Sequence, residues 1–323
     1  MVDPRSVERG RIGGVSRRTV LAGAAALGAG AAVGLPARRA RASVAHAFRH
    51  GAFEITVISD GALNIAASAL APDADPAALA EAMRKAGQSG DRVHPPLNVT
   101  VVRTGPELIL VDVGAGPNFM DTAGKLGDNM DGAGIDPGSV TLVVFTHGHP
   151  DHLWGTIDEF DDSLRFPNAR YAISAAELDL WLSPDAASKL PADRQNFVPG
   201  ARRNLTRIKD KVRTLAPGED IIAGMRVLDT AGHTQGHISL ELAGPDGGLI
   251  ILGDALTHPV VSFAHPDWRP AADHEPERAV ATRRKLLERL ATDRTRVIGY
   301  HLPFPGLGRV EQKGLAYAYA PDA

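Results

Sequence analysis

The stretch His147-Gly148-His149-Pro150-Asp151-His152 constrains this chain more than any other, because it packs four metal-ligand side chains into six residues at the end of an apolar run. That run, Val140-Thr141-Leu142-Val143-Val144-Phe145, is short, β-branched and aromatic, and a loop containing Gly and Pro follows it. This is the pattern of a buried strand. The ligand-type residues therefore sit where a strand ends. Strand side chains alternate, so an extended start to the loop aims His147 and His149 the same way. Pro150 stops the strand, and the turn beyond it can send Asp151 and His152 toward a second point nearby. Two imidazoles for one ion, with a carboxylate and an imidazole for another, form a ligand set for borderline metals such as zinc.

Cysteine is absent from all 323 residues, so any metal must be held by His, Asp or Glu, and disulfides and thiolate nucleophiles are excluded. A hydrophobic content of 44% is enough for the core of one large domain or two modest ones.

The N-terminal region carries a different message. Ser16-Arg17-Arg18-Thr19-Val20-Leu21 contains paired arginines, Val20 to Leu35 is a 16-residue apolar run made mostly of Ala and Gly, and Ala40-Arg41-Ala42 has small residues suited to cleavage. It resembles a twin-arginine export signal. The expectation is a signal over residues 1–42, a mature domain over 43–323, a periplasmic or secreted location, and no stable membrane anchor, since the run is short for a span. Residues 1–42 hold eight Lys/Arg and two Asp/Glu, which leaves 27 basic and 36 acidic residues beyond them and a formal charge of −9. Such a chain is a poor partner for nucleic acid, which needs clustered Lys and Arg. A small, apolar, ester-like substrate suits it better, and a homodimer is left open.

Along the mature chain, Phe53–Ile58 reads as a strand, and Asp75-Pro76 starts a helix within 73–90. Strands at 97–103 and 108–113 flank a turn, a short helix falls within 118–131, and Arg170–Ile173 leads into Ser174-Ala175-Ala176-Glu177, which has capping-box spacing. Three prolines between 183 and 200 suggest a long surface loop or lid, with a helix at 205–212 after it. Strands at 225–230, 238–243, 249–252 and 297–299 remain, with a helix at 275–291 burying Ala279, Leu286, Leu287 and Leu290. Asp112, beside Gly114 and Gly116, either approaches a site or caps a turn.

Three further strand ends carry ligand-type residues beside glycine: His233, Asp254 and His301. In order and context, His147, His149, Asp151, His152, His233, Asp254 and His301 resemble the seven ligands of dinuclear metallo-β-lactamase-fold hydrolases, over nearly the whole mature chain. The resemblance implies an α/β fold, an αβ/βα four-layer sandwich of two mixed β-sheets with helices on the outside. It implies two divalent ions per chain, zinc first, with manganese, cobalt or iron as alternatives. His147, His149 and His233 would hold one ion, Asp151, His152 and His301 the other, and Asp254 would bridge. The implied reaction is attack by a metal-bridging hydroxide on a phosphotriester, aryl ester or lactone, with Asp151 and Asp254 catalytic through the ions they hold.

The segment His301 to Gly308 is similar to the methyl parathion hydrolase group. By that resemblance Phe119, Trp181 and Phe197 line an apolar pocket, with ordinary core packing as the equal alternative. Trp154 either narrows the site or packs beneath it. Thr257 stands where many acyl-homoserine lactonases carry a tyrosine, which counts against lactonase chemistry of that type. His237 resembles the family's non-ligand histidine. His46, His50, His94, His258, His265 and His274 show no partner pattern and read as surface or structural, with His258 the exception because it follows Asp254 by four residues. The rival readings are a mononuclear iron persulfide dioxygenase of the same fold, an acyl-homoserine lactonase, and a binding protein without catalysis.

Overall fold

Glu107–Val111 shows how the sequence builds layers. Leu108 and Leu110 face one side, Ile109 and Val111 the other, and all four are buried. A strand that is apolar on both faces needs cover on both. The computed structural model, which describes residues 44–245 and 247–322, supplies that cover. The segment read as an export signal lies outside the described residues.

Two seven-stranded sheets pack face to face. The first runs, in spatial order, Ala45–His50, Phe53–Ala62, Pro96–Thr104, Glu107–Val111, Leu142–Val144, Arg170–Ser174 and Val212–Leu215. The second runs Asp220–Ile222, Met225–Asp229, Ile238–Leu242, Leu249–Ile251, Arg296–Ile298, Leu307–Lys313 and Ala316–Pro321. Ile109, Val111 and Val144 from the first meet Val227, Leu240 and Ile251 from the second in the central core. Outside the first sheet, Leu180, Trp181, Leu205 and Ile208 from helices Ala175–Leu182 and Val198–Ile208 cover Val143 and Tyr171. Outside the second, Leu286, Leu287 and Leu290 of helix Pro276–Asp293 cover Ile250 and Val297. The result is helix, sheet, sheet, helix: the four-layer sandwich that the family resemblance implied. No described helix is long and apolar enough to cross a membrane.

Both sheets are mixed, and the mixture positions the site. Glu107–Val111, Leu142–Val144 and Arg170–Ser174 are parallel neighbours, so the residues after each strand gather along one edge. Leu249–Ile251 and Arg296–Ile298 are likewise parallel and deliver Asp254 and His301 beyond their carboxyl ends. The crevice outside the carboxyl ends of such strands is where α/β sheets bind ligands.

Local expectations and structure part company between 118 and 212. The short helix is confined to Leu126–Gly132. The segment from 183 is no open loop: it forms 3-10 turns at Ala186–Lys189 and Ala192–Phe197 and then the helix Val198–Ile208. Pro199 falls in the first turn of that helix, where the missing N–H is not needed. The expected helix at 205–212 therefore starts seven residues earlier, and Val212–Leu215 becomes the edge strand of the first sheet. Residues 63–95 form an insert with a ribbon, Ile65–Ala66 with Arg92–Val93, and a helix, Pro76–Lys85, capped by Asp75. Leu70, Leu79, Met83 and Val93 give it a small core of its own against Val261.

Candidate metal centre

His149 is the last extended residue before a single helical turn, Pro150–Leu153, so Asp151 and His152 leave the backbone in a different direction from the two histidines before them. All seven side chains named from the sequence are at least nine-tenths buried and meet at the shared sheet edge. Within 4.8 Å of one another, donor atoms group as His147 with His149 and His233, as Asp151 with His152 and His301, and as His147 with His152 and Asp254. Asp254 lies between the triads: Oδ2 is 3.3 Å from His233 Nε2 and 3.1 Å from His301 Nε2, and Oδ1 is 3.2 Å from His152 Nε2.

Whether these residues suit an ion is decided by their unused atoms. His147 Nε2, His152 Nε2 and Asp254 Oδ1 are buried with no hydrogen-bond partner among the described residues. Buried polar atoms without partners are costly unless something else engages them. The set is otherwise imidazole nitrogen and carboxylate oxygen, which suits zinc and its neighbours. Each imidazole also has its second nitrogen engaged: His147 Nδ1 by Thr146 Oγ1 at 3.1 Å, His149 Nε2 by His274 at 2.9 Å, and His152 Nδ1 by Asp112 at 2.8 Å. His233 Nδ1 lies 3.0 Å from Asp273 Oδ1, and His301 Nδ1 donates to Pro96 O at 2.9 Å. Such outer partners orient metal-binding imidazoles. The residues fit divalent-metal binding.

Electrostatics agree with that fit. Burial, reinforced by the neighbouring imidazoles, holds His147 and His149 well below the usual histidine range, so both are neutral donors. For His152 and His301 burial works the same way, but Asp254 and Asp151 overcome it, lifting His152 well above its usual value and His301 to about 10. The carboxylates therefore favour positive charge at this point, whether imidazolium or a divalent cation.

Glu177 ties the two ligand loops together. Its Oε2 accepts from Gly148 N at 2.9 Å and from Trp181 Nε1 at 2.8 Å, and its Oε1 accepts from Gly236 N at 2.9 Å. The capping-box reading holds only halfway: Ser174 Oγ accepts from Glu177 N at 3.2 Å, while the carboxylate turns to the ligand loops. Gly148 is required here, since a Cβ would fall 2.2 Å from Trp181 Nε1.

An apolar cleft opens on five of the seven residues, namely His149, Asp151, His233, Asp254 and His301. Phe119, Met120 and Phe197 form one wall, Leu63, Ile65 and Leu70 of the insert another, and Arg194 adds a guanidinium to the lining. Thr257 also reaches it. Of the four aromatic residues proposed for a pocket, Phe119 and Phe197 line this cleft. Trp154 stands behind them, edge-on to Phe119 with centroids 5.7 Å apart, facing a separate crevice beside Gly200. Trp181 takes the core-packing alternative: it is fully buried beneath His149, is not among the residues lining the cleft, and donates its indole N–H to Glu177.

The remaining histidines separate cleanly. His237 Nε2 accepts from Asp254 N at 2.9 Å, so it supports a ligand without being one. His258 is turned away, with Nδ1 accepting from Val261 N at 3.0 Å and Nε2 3.2 Å from Gln88 Oε1. His50 is buried with Nε2 3.2 Å from Leu242 O, His265 stacks on Trp268, and His94 is exposed. His274 was read from sequence as structural, yet it contacts a ligand imidazole. Asp273 and Glu177 were not anticipated either; the signal available for all three was only an acid or imidazole near a chain turn.

A four-layer sandwich with this histidine and aspartate cluster at its edge defines a metallo-hydrolase scaffold. The chain belongs to the Metallo-beta-lactamase superfamily, whose family model matches residues 95–301 and so includes every residue of the centre. It is similar in structure to AidC, a dizinc quorum-quenching lactonase, with 25% identity, a TM-score of 0.82 and coverage of 87% of this chain and 99% of that one. It is also similar to the hydrolase AbOPH of the beta lactamase superfamily, with 30% identity, a TM-score of 0.81 and coverage of 88% and 99%. In sequence it is 28% identical over 200 residues to Metallo-beta-lactamase domain-containing protein 1 of Xenopus laevis, covering 62% of this chain and 69% of that protein.

Proposed function

We propose that this chain is a two-metal hydrolase of small apolar esters, with lactones, aryl esters and phosphotriesters as the candidate classes. One observation carries the reading: the apolar cleft between Phe119, Phe197 and the 63–95 insert opens directly on five residues of the metal centre. Divalent ions, when bound there, would supply Lewis acidity toward an ester oxygen and lower the pKa of water.

The protein's own residues supply the rest. His147, His149 and His233 would hold one ion, Asp151, His152 and His301 the other, and Asp254, whose oxygens lie between the two triads, would contribute to the pair. Phe119 and Phe197, edge-on with centroids 6.1 Å apart, hold the apolar part of the substrate and keep bulk water out. Tyr300, although beside the centre, is committed: its hydroxyl donates to Asp151 O at 2.6 Å and is buried, so it fixes a ligand loop and does not serve the leaving group. Lactones stand first among the three classes because AidC, a lactonase, is similar over nearly all its length. The absence of tyrosine at Thr257 does not weigh against a lactonase that works without one. An exported location and kinship with the methyl parathion hydrolase-like group are parts of the same proposal, without changing that order.

The test is metal content and hydrolysis on one preparation. Two ions per chain are expected, with turnover of at least one class above the uncatalysed rate and its loss on chelation. One iron per chain with persulfide oxidation would point to the dioxygenase instead. Hydrolysis that survives complete removal of metal would sink the proposal.

A further inference from the structure

Two adjacent residues outside the ligand set, Asp273 and His274, reach two imidazoles of the same triad. Asp273 Oδ1 is 3.0 Å from His233 Nδ1, and His274 Nε2 is 2.9 Å from His149 Nε2. These are the nitrogens turned away from the ion position, because His233 Nε2 and His149 Nδ1 face each other at 3.0 Å. The backbone is fastened in the same place: His274 N donates to His233 O at 2.8 Å and Glu275 N to Gly232 O at 3.0 Å. Asp273 is itself anchored, with Oδ2 accepting from Arg283 Nη2 at 2.9 Å. Arg283 is buried in the long helix Pro276–Asp293, and its Nη1 donates to Pro266 O and Trp268 O.

Ligand chemistry dictates what these contacts do. A neutral imidazole that gives one lone pair to an ion carries its proton on the other nitrogen, and in a buried site that N–H needs an acceptor. Asp273 is the acceptor for His233. For His149, the acceptor is His274 Nε2, and this requires His274 to carry its own proton on Nδ1. That Nδ1 is buried and has no hydrogen-bond partner among the described residues. An unpaired buried donor is costly, so the tautomer that leaves it unpaired must be held by the demand from the opposite nitrogen.

We propose that Asp273 and His274 are a positioning pair that fixes the tautomers and ring orientations of His233 and His149, so that ion retention in the His147–His149–His233 triad depends on segment 270–275. The other triad depends on Asp112, which meets His152 directly and reaches His147 of the first triad only through the Thr146 hydroxyl. The pair rests on the two-metal reading of the centre. It also joins that triad to the substrate cleft, because Pro270 and Ala272 of the same segment line the cleft and Ala271 O accepts from Arg194.

Three variants separate the pair from general packing. His274→Phe keeps a ring and removes the acceptor, whereas His274→Gln restores an acceptor oxygen. In Asp273→Asn the oxygen is drawn to Arg283, which can only donate, and the amide N–H2 then faces His233 Nδ1 and selects the wrong tautomer for ligation by Nε2. The readout is a chelator-competition titration of the full chain with Co(II), giving two binding steps and the ligand-field absorption of each. The expected result for His274→Phe and Asp273→Asn is one step unchanged and the other weakened about 10- to 100-fold with an altered absorption band. His274→Gln should recover most of that loss. Asp112→Asn should weaken the other step most, through His152, and the first step less, through Thr146 and His147. Unchanged titrations in both His274→Phe and Asp273→Asn would overturn the pair, as would equal weakening of both steps. If His274→Phe does not fold, the contrast between Asp273→Asn and Asp112→Asn decides alone. A parent chain that takes up fewer than two ions sinks the two-metal reading; a parent that takes up two while the variants match it sinks the pair only.

Discussion

Asp112 Oδ2 lies 2.8 Å from His152 Nδ1, and the same carboxylate accepts from Thr146 N through Oδ1 and from Thr146 Oγ1 through Oδ2, both at 2.8 Å. Asp112 adopts φ +62 to make these contacts, a left-handed conformation that is uncommon outside glycine. Thr146 Oγ1, having donated to Asp112, is free to accept from His147 Nδ1. One strand-end carboxylate thus sets the orientation of two ligands, His152 directly and His147 through a hydroxyl.

Replacing that carboxylate by an amide puts an N–H2 group against His152 Nδ1 and favours the tautomer in which Nε2 cannot ligate. Asp112→Asn is expected to lower metal affinity about 10- to 100-fold and hydrolytic turnover with it. Equilibrium dialysis against a metal buffer measures the first. Full occupancy at the parent's free-metal concentration would refute the role assigned to Asp112.

Glu177 is fully buried and accepts from three N–H donors, two of them on the ligand loops. Glu177→Gln turns one acceptor into a donor facing a donor. The expected cost is roughly 1.5–3 kcal/mol in urea unfolding, as for a lost hydrogen bond to a charged buried group. A change within about 0.5 kcal/mol, the range of ordinary surface substitutions, would mean that the loops hold each other without it.

Phe197 is only partly buried and packs edge-on to Phe119 at the cleft wall. Phe197→Ala removes apolar contact that a bound substrate meets in ground state and transition state alike, so KM should rise about tenfold for apolar esters while kcat stays close to the parent's. Steady-state kinetics on a long-chain and a short-chain ester give the comparison. Equal loss for both chain lengths would show that Phe197 does not contact the apolar part of the substrate.

Asp60 is buried, and burial raises its pKa to about 6 despite backbone N–H donors at Ala115, Leu126 and Gly124. Because the folded value lies above the unfolded one, protonation of Asp60 favours the folded state below about pH 4, and that stabilisation is lost as pH rises through 6. The parent should therefore lose on the order of 2 kcal/mol relative to Asp60→Asn between pH 4.5 and 7, with no further divergence at higher pH. Denaturant unfolding of both proteins across that range measures the difference, and parallel pH profiles would contradict the assignment.

The strands and the seven donor-type residues at their ends are legible in short-range patterns, whereas the sandwich that joins them is implied only by the resemblance to the metallo-β-lactamase fold. Strands such as Leu142–Val144 announce themselves by β-branched apolar residues, and His147 to His152 carry their spacing within one loop. Pro150 likewise marks the turn at which the ligand direction changes. The helix at Val198–Ile208 was misplaced for the opposite reason: three prolines dominate its neighbourhood locally, while burial of Val198, Ala201, Leu205 and Ile208 against the first sheet decides the outcome.

Sequence by itself determined the ligand chemistry, the lack of any thiolate, and the alternation of strands that puts donor residues at strand ends. Only the tertiary structure decided which residues stand behind the ligands. Asp112, Glu177, Asp273 and His274 lie 40, 29, 40 and 125 positions from the groups they orient, and no local spacing encodes such pairs. The same holds for the aromatic residues, since Phe197 faces the cleft and Trp181 the core. A side chain's role at a sheet edge depends on which neighbour takes its polar atom, and that neighbour arrives only when the two sheets close.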